Sequence, residues 1–413
     1  MVKINEERLL ASLREVAQFG AYKTGVHRPT FSPQDMQARQ WLKQRMENAG
    51  LKATIDGIGN VIGKSQRPGR ALLTGSHSES QNYAGWLDGI LGVMFGLELA
   101  QSIHDQDLPL AVDVGAWVDE ECHYIQFLGS RSFCGDLNES EIDTGKNKDT
   151  GETVRAALER VDLSRRKREH IDVSRYVGYL EAHIEQGDYL DKHGLKVGIV
   201  TSLVGLWQYR LTFIGEQNHA GATRMAARKD AGAALVKLTA AIEKRFREVT
   251  AERSVWTVGR ITLDPGAPSI IPGGAELVFQ FRDEYVEQLE KFERELFALV
   301  EEANQTGPCQ CKIDIVDKAT PKRMDASMQA HLEKAARDLA PGKYVRMPSG
   351  AMHDAQVFAK IMPASMLFVP SIGGISHHYT ENTADEDIKL GGQIFAQAAE
   401  DILVSHKQTS PKA

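Results

Sequence analysis

The chain has 413 residues, 42% of them hydrophobic and 25% charged, with a formal net charge of −7; that is long for one domain, comfortable for two, and ordinary for a soluble globular protein. The densest basic run, Arg165-Arg166-Lys167-Arg168, sits beside Glu169 and His170 and reads as a solvated face, so nucleic acid is excluded as the expected partner. No apolar run is long enough to cross a membrane, and four cysteines in a chain of this size do not suggest a disulfide framework.

The first segment, Met1 to Glu7, opens a charged amphipathic helix rather than a secretory signal, and the cytoplasm is the expected compartment. Residues 5–20 and 33–50 read as amphipathic helices, the second starting at Ser32-Pro33, a helix-start pair. Short β-branched segments follow at Leu51–Ile55, Asn60–Ile62 and Ala71–Thr74, then a Gly-rich loop and a helical pattern from Gly89 to Ile103. The apolar run Leu108 to Val118 reads as a strand. This mixture predicts an α/β domain with a largely parallel sheet. From Gly194 to Ile214 the pattern shifts to long alternating runs. A helix over 226–248, strands near 254–263 and 275–282, a helix over 284–304 and a strand near 311–316 predict a small α+β sandwich module. After Pro321 the character of the larger domain returns, with a helix, the strand Met366–Val369 and a terminal helix over 384–405. The expected organisation is therefore a discontinuous larger domain, 1–206 and 319–413, with a smaller domain, 207–318, inserted into it.

The most informative feature is Asp119-Glu120-Glu121, which directly follows the run ending at Val118. Where a strand ends and the chain turns, two adjacent carboxylates can line one cleft and divide the labour, one holding a metal and the other moving protons. Isolated candidates end other apolar segments: His77 in Thr74-Gly75-Ser76-His77, Asp88 before Gly89, His183 in Glu181-Ala182-His183, and His377 in Gly373-Gly374-Ile375-Ser376-His377. Imidazole with carboxylate suits a divalent first-row metal, and a carboxylate such as Asp88 can bridge two ions; two ions roughly 3.5–4 Å apart can hold and acidify one water. Cys122, beside the carboxylate pair, reads as a buried small side chain, because no feature of the sequence marks an activating base for it.

Over nearly its whole length the chain resembles the metal-dependent amidohydrolases of the M20 peptidase superfamily, specifically the hydantoinase/carbamoylase branch. That branch includes allantoate amidohydrolases, N-carbamoyl-L-amino acid hydrolases and β-ureidopropionases. The motifs that carry the likeness are Gly75-Ser76-His77, Asp88-Gly89, Glu120-Glu121, Leu128-Gly129-Ser130-Arg131, His183-Ile184-Glu185-Gln186-Gly187, Asn218-His219-Ala220-Gly221, Ile271-Pro272-Gly273, Phe281-Arg282-Asp283, His353-Asp354-Ala355 and Ile375-Ser376-His377. The resemblance implies a metallopeptidase-like catalytic domain with a mostly parallel mixed sheet, plus an inserted α+β lid and dimerisation domain. It implies two divalent ions per subunit (Zn, Mn, Co or Ni), with Asp88 bridging, His183 and His77 on one ion, and Glu121 and His377 on the other. Glu120 would be the general base that takes a proton from the water between the ions. His219 would donate to the developing oxyanion in the partner subunit of a homodimer. Gln186, Asn218, Ser269, Arg282 and Gly374 would contact a small carboxylate-bearing substrate, Arg282 through its two-pronged guanidinium. The implied reaction is cleavage of a linear amide or ureido C–N bond, with N-carbamoyl amino acids and ureido acids at the head of the substrates. The alternatives are an aminoacylase or exopeptidase and, lower, a non-catalytic binding protein on the same scaffold.

The sequence departs from the family at several positions. Glu79 stands where an Asp orients the first ligand imidazole, Leu87 replaces a Tyr, Cys122 a Gly, Ser269 an Asn, and Arg224 and Tyr379 each a Pro, while His378 occupies the place of a small residue. Glu79 is expected to hold the imidazole from one methylene farther away, and Trp86, His378 and Tyr379 to form a pocket for a larger, flatter group.

Overall fold

The computed structural model describes residues 2–409. The chain divides into two compact units: residues up to Thr201 together with those from Arg323 onward, and Ser202–Lys322. In the larger unit, helix Glu6–Val16 starts where Asn5 accepts the Arg8 amide, and helix Pro33–Asn48 starts where Ser32 accepts the Asp35 amide, with proline in the first turn. Each side-chain oxygen satisfies an amide that has no partner inside its helix.

The larger unit is built on a nine-stranded sheet. Its centre runs Ala364–Val369, Tyr176–Ile184, Ala71–His77, Val112–Trp117, all parallel. Every residue of these four strands is buried, as expected of parallel strands covered on both faces, and the reason they read as near-continuous apolar runs. Val61–Ser65 and Leu51–Ile55 continue the sheet antiparallel on one side, and Val197–Leu203 on the other. Helices Ile90–Asp105, Pro33–Asn48 and Asp385–Thr409 pack on the sheet. Because the four central strands point the same way, their C-terminal ends share one edge, the edge at which ligands bind in open α/β sheets.

The smaller unit is a four-stranded antiparallel sheet in the order Val255–Asp264, Gly274–Asp283, Gly205–Ile214, Gln310–Ala319. Gly274–Asp283 alternates strictly between half-buried and buried residues, the period-2 pattern of a sheet with one covered face. Helices Ala231–Val249 and Val286–Thr306 cover that face. Their core includes Leu211, Phe213, Phe246, Phe279, Phe281 and Phe292, with Phe246 stacked on Phe292 at 4.4 Å. A two-stranded ladder pairs Asn218–His219 with Ile270–Ile271. Among the described residues no helix is long and apolar enough to cross a membrane.

Candidate metal centre

Three trios of potential ligands lie at the C-terminal edge of the central strands, the donor atoms within each all inside 4.8 Å of one another: His77, Asp88 and His183; His77, Glu120 and Glu121; Asp88, Glu121 and His377. His77 is the last residue of its strand, His183 the last but one of its own, and Asp119 to Glu121 follow Trp117 after a single residue. Asp119 turns the chain with a φ of 60°. Its carboxylate then accepts the amides of His123, Tyr124 and Ile125, which closes the loop and leaves Glu120 and Glu121 on the site. Asp88 precedes Gly89, whose φ is 67° and where a Cβ would stand 2.3 Å from the His77 ring; only glycine lets the bridging loop pass so close to a ligand.

Both buried imidazoles are held in the form a metal requires. The Nδ1 of His183 is 2.9 Å from the Ile184 carbonyl, and that of His77 is 3.2 Å from the Glu79 carbonyl. A carbonyl only accepts, so each Nδ1 carries the hydrogen and each Nε2 is an acceptor on the side of the cluster, that of His183 taking the Gly89 amide at 3.1 Å. The Nε2 of His183 lies 3.2 Å from Asp88 Oδ1, and that of His377 lies 3.2 Å from Asp88 Oδ2 and 3.4 Å from Glu121 Oε1. Asp88 thus offers one oxygen to each side. Glu121 Oε1 is buried and has no hydrogen-bond partner, a costly state for a carboxylate oxygen unless a cation takes it.

The charges tell the same story. Burial would raise Asp88, but contacts with His183 and His377 outweigh it and hold its carboxyl well below the usual range. Burial, joined by the Glu121, Asp354, Asp88 and Glu79 carboxylates, pushes Glu120 well above it. The Asp88 and Glu121 carboxylates push His377 up to about 11. Crowded carboxylates thus draw protons onto one another and onto an imidazole, which is the charge that divalent ions would neutralise. Donor type, tautomer and the orphaned oxygen all fit two divalent cations.

Glu79 takes a different part from the one expected. The carbonyl of Glu79, not its carboxylate, is what His77 Nδ1 meets; the nearer carboxylate oxygen is 3.6 Å away. The extra methylene carries the carboxylate past the imidazole, where Oε1 accepts the Glu120 amide at 2.7 Å and Oε2 faces Arg39 at 3.3 Å. Burial raises Glu79 to about 7. Gln186, at a φ of 59°, rests its amide nitrogen on Asp88 at 3.2 Å and near Ser376. Gly374 follows in the turn before His377, with a φ of 69°.

His219, Asn218, Ser269 and Arg282 belong to the smaller unit. The ladder sets Asn218 opposite Ile271, and the Ser269 carbonyl accepts the Ala220 amide. His219 is exposed, and its Nδ1 accepts the amides of Gly221 and Ala222 at 3.0 and 3.1 Å, so in the neutral ring the hydrogen sits on Nε2. Arg282 is half-buried on the strand Gly274–Asp283, where burial lowers its pKa. Of the residues expected to form an aromatic pocket, Trp86 packs on the larger core and donates to Asn382, and His378 and Tyr379 lie tilted against each other beside Tyr22 and Lys23. Cys122 is half-buried rather than buried, at a φ of 59°.

Two buried residues stand behind the ligands without having been singled out from the sequence. Glu381 accepts the Asp88 amide at 3.1 Å and the Ser376 hydroxyl at 2.9 Å, tying together the loops that carry Asp88 and His377. Arg39 joins Asp35 and Glu79. The one signal for Arg39 was its four-residue spacing from Asp35 on a predicted helix.

A parallel-centred sheet that gathers imidazoles and carboxylates at its strand ends, with a small α+β unit inserted, is the architecture of a two-domain amidase. The sequence profile of peptidase family M20/M25/M40 matches residues 74–401. An N-carbamoyl-L-amino acid amidohydrolase of Geobacillus stearothermophilus is 31% identical over 95% of this chain and 97% of its own. An allantoate amidohydrolase of Bacillus subtilis is 31% identical over 91% of this chain and 92% of its own. A solved amidase of the hydantoinase/carbamoylase family from Burkholderia phymatum is 45% identical, covers 98% of this chain and 99% of its own, and superimposes with a TM-score of 0.90. The chain belongs to peptidase family M20/M25/M40, in its hydantoinase/carbamoylase branch.

Proposed function

We propose that this protein is a metal-dependent amidohydrolase that cleaves a linear amide or ureido C–N bond in a small carboxylate-bearing substrate, with N-carbamoyl amino acids and related ureido acids as the leading class. The observation that carries the reading is the placement of Glu120, a buried carboxylate whose Oε2 is 3.9 Å from His77 Nε2, among ligand trios that share His77, Asp88 and Glu121. The N-carbamoyl amino acid and allantoate activities named for the relatives point to the same bond.

His77, His183 and Asp88 would hold one ion, and Asp88, Glu121 and His377 the other. When bound, the ions supply Lewis-acid polarisation and make water acidic enough to attack at neutral pH. Glu120 takes the proton of the attacking water and returns it to the leaving nitrogen, the general acid–base role open to a carboxylate buried beside the ligands. His219, with its hydrogen on Nε2, donates to the oxygen that gains charge as the carbonyl becomes tetrahedral. We propose that it does so in a homodimer, from the second subunit. Arg282 pairs with the substrate carboxylate, and Gln186, Asn218, Ser269 and Gly374 complete the contacts.

The test is turnover of a panel of N-carbamoyl and N-acyl amino acids by apo-protein reloaded with Zn, Mn, Co or Ni. Carbamoyl cleavage releases ammonia together with the amino acid; amino acid without ammonia would move the reading to an aminoacylase. No metal-dependent hydrolysis of any member would sink it.

A further inference from the structure

We propose that Gln81 is a positioning residue that makes Glu121 a one-oxygen donor and thereby sets the affinity of the ion subsite formed by Asp88, Glu121 and His377. The inference rests on the metal-dependent reading above and assigns a role to a side chain outside the ligand set.

The side-chain nitrogen of Gln81 lies 3.0 Å from the backbone carbonyl of Glu121 and 3.0 Å from its Oε2. Both partners only accept, so the nitrogen and not the oxygen of the amide faces them. One NH2 group thus holds both the backbone carbonyl and one carboxylate oxygen of the same glutamate and restrains the side chain between them. It occupies Oε2 and leaves Oε1 as the free oxygen. Oε1 is the atom that is buried without a hydrogen bond and stands 3.4 Å from His377 Nε2, in a side chain only 6% exposed. A glutamate left to itself can offer either oxygen or both; this one is reduced to a single aimed donor. The amide is neutral, so it orients Glu121 without placing a positive charge where a divalent cation must sit, as lysine or arginine would. Gln81 also lies on the segment between His77 and Asp88, so one short loop supplies ligands and the support of another ligand.

The experiment compares wild type with Q81M, which keeps the length and loses the donor, and Q81E, which turns the donor into an acceptor facing an acceptor. Binding of Mn2+ and of Zn2+ to the apo-proteins is measured in chelator-buffered titrations, with far-UV circular dichroism and apo melting to establish that each variant is folded. Wild type is expected to bind two ions in two steps. In Q81M one step should weaken 10- to 100-fold, the range for removal of a partner that orients a ligand, while the other step stays within threefold and the apo melting temperature is unchanged. Q81E should weaken the same step at least as much. Two unaltered steps in folded Q81M would overturn the inference and leave the functional reading standing. Wild type that binds no ion would overturn both. Equal weakening of both steps would assign Gln81 a general structural role instead.

Discussion

Glu120 and Glu121 are adjacent in sequence and opposite in circumstance. Glu121 is held by Gln81 and leaves one bare oxygen beside His377, whereas Glu120 is fixed through its backbone by Glu79 and is pushed toward its neutral form by burial and four surrounding carboxylates. Replacing Glu120 with Gln keeps the shape and removes the proton acceptor. We expect kcat to fall 10²- to 10⁴-fold, the usual worth of general acid–base catalysis, with metal content unchanged by elemental analysis; a variant with more than a tenth of wild-type turnover would exclude Glu120 as the base. The next residue holds a backbone conformation that favours glycine. Cys122 sits at a φ of 59°, where a side chain costs about 1–2 kcal/mol and glycine costs nothing sterically, although glycine surrenders roughly 0.5–1 kcal/mol of chain entropy. Cys122→Gly should therefore leave the urea midpoint unchanged or slightly raised, and a loss above about 1 kcal/mol would show that the thiol makes a contact worth more than the strain. Histidines and carboxylates that end apolar runs are legible in the sequence, because a strand end next to Gly or Ser is where a polar side chain can face a cleft. Gln81 and Glu381 are not, since a glutamine in a loop and a glutamate beyond His377 look like ordinary solvated residues until the chain folds over them. The path of the Glu79 carboxylate was equally hidden: it reaches the Glu120 backbone amide rather than bonding the His77 imidazole, and no periodicity reports that.

At the scale of elements, the readable signals were those with a long-range physical cause. The central strands are mostly apolar because both faces are covered, their polar residues including the ligands His77 and His183 near the C-terminal ends, and helix Pro33–Asn48 begins at Ser32 because its first amides need an acceptor. Ends were less readable. The run from Leu108 reads as strand from its first residue, yet the strand starts only at Val112: Leu108 is half-buried and Pro109 exposed, and proline has no amide to give a ladder. In the smaller unit the aromatic composition of the two covering helices and two middle strands has a direct consequence. Phe246 is fully buried and touches Phe279, Phe281, Phe292 and Trp256. Phe246→Ala should cost about 3–5 kcal/mol, read as a lower urea midpoint for the transition of this unit. A cost below about 1 kcal/mol would mean that the cluster closes over the gap.

For the whole molecule, the decisive fact is that the smaller unit has a core of its own and that its chain enters and leaves on adjacent strands: Leu206 pairs with Ala319 in the antiparallel ladder. An insertion whose ends meet in this way asks only that the host supply two neighbouring attachment points. All the candidate metal ligands lie outside it. Two results are therefore expected from one calorimetric series. The fragment spanning residues 202–322 should fold by itself and melt cooperatively at the same temperature with or without divalent metal. The full chain should show a metal-dependent rise: an ion at a thousand times its Kd adds about 4 kcal/mol to whatever binds it, which for a unit of this size corresponds to a shift of roughly 5–10 °C. The shift belongs to the larger unit, because binding stabilises only the part of the chain that loses the site on unfolding. A fragment that stays unfolded in isolation would show that its core does not suffice without its host, and a fragment whose melting responds to metal would place ligands where the sheet ends do not.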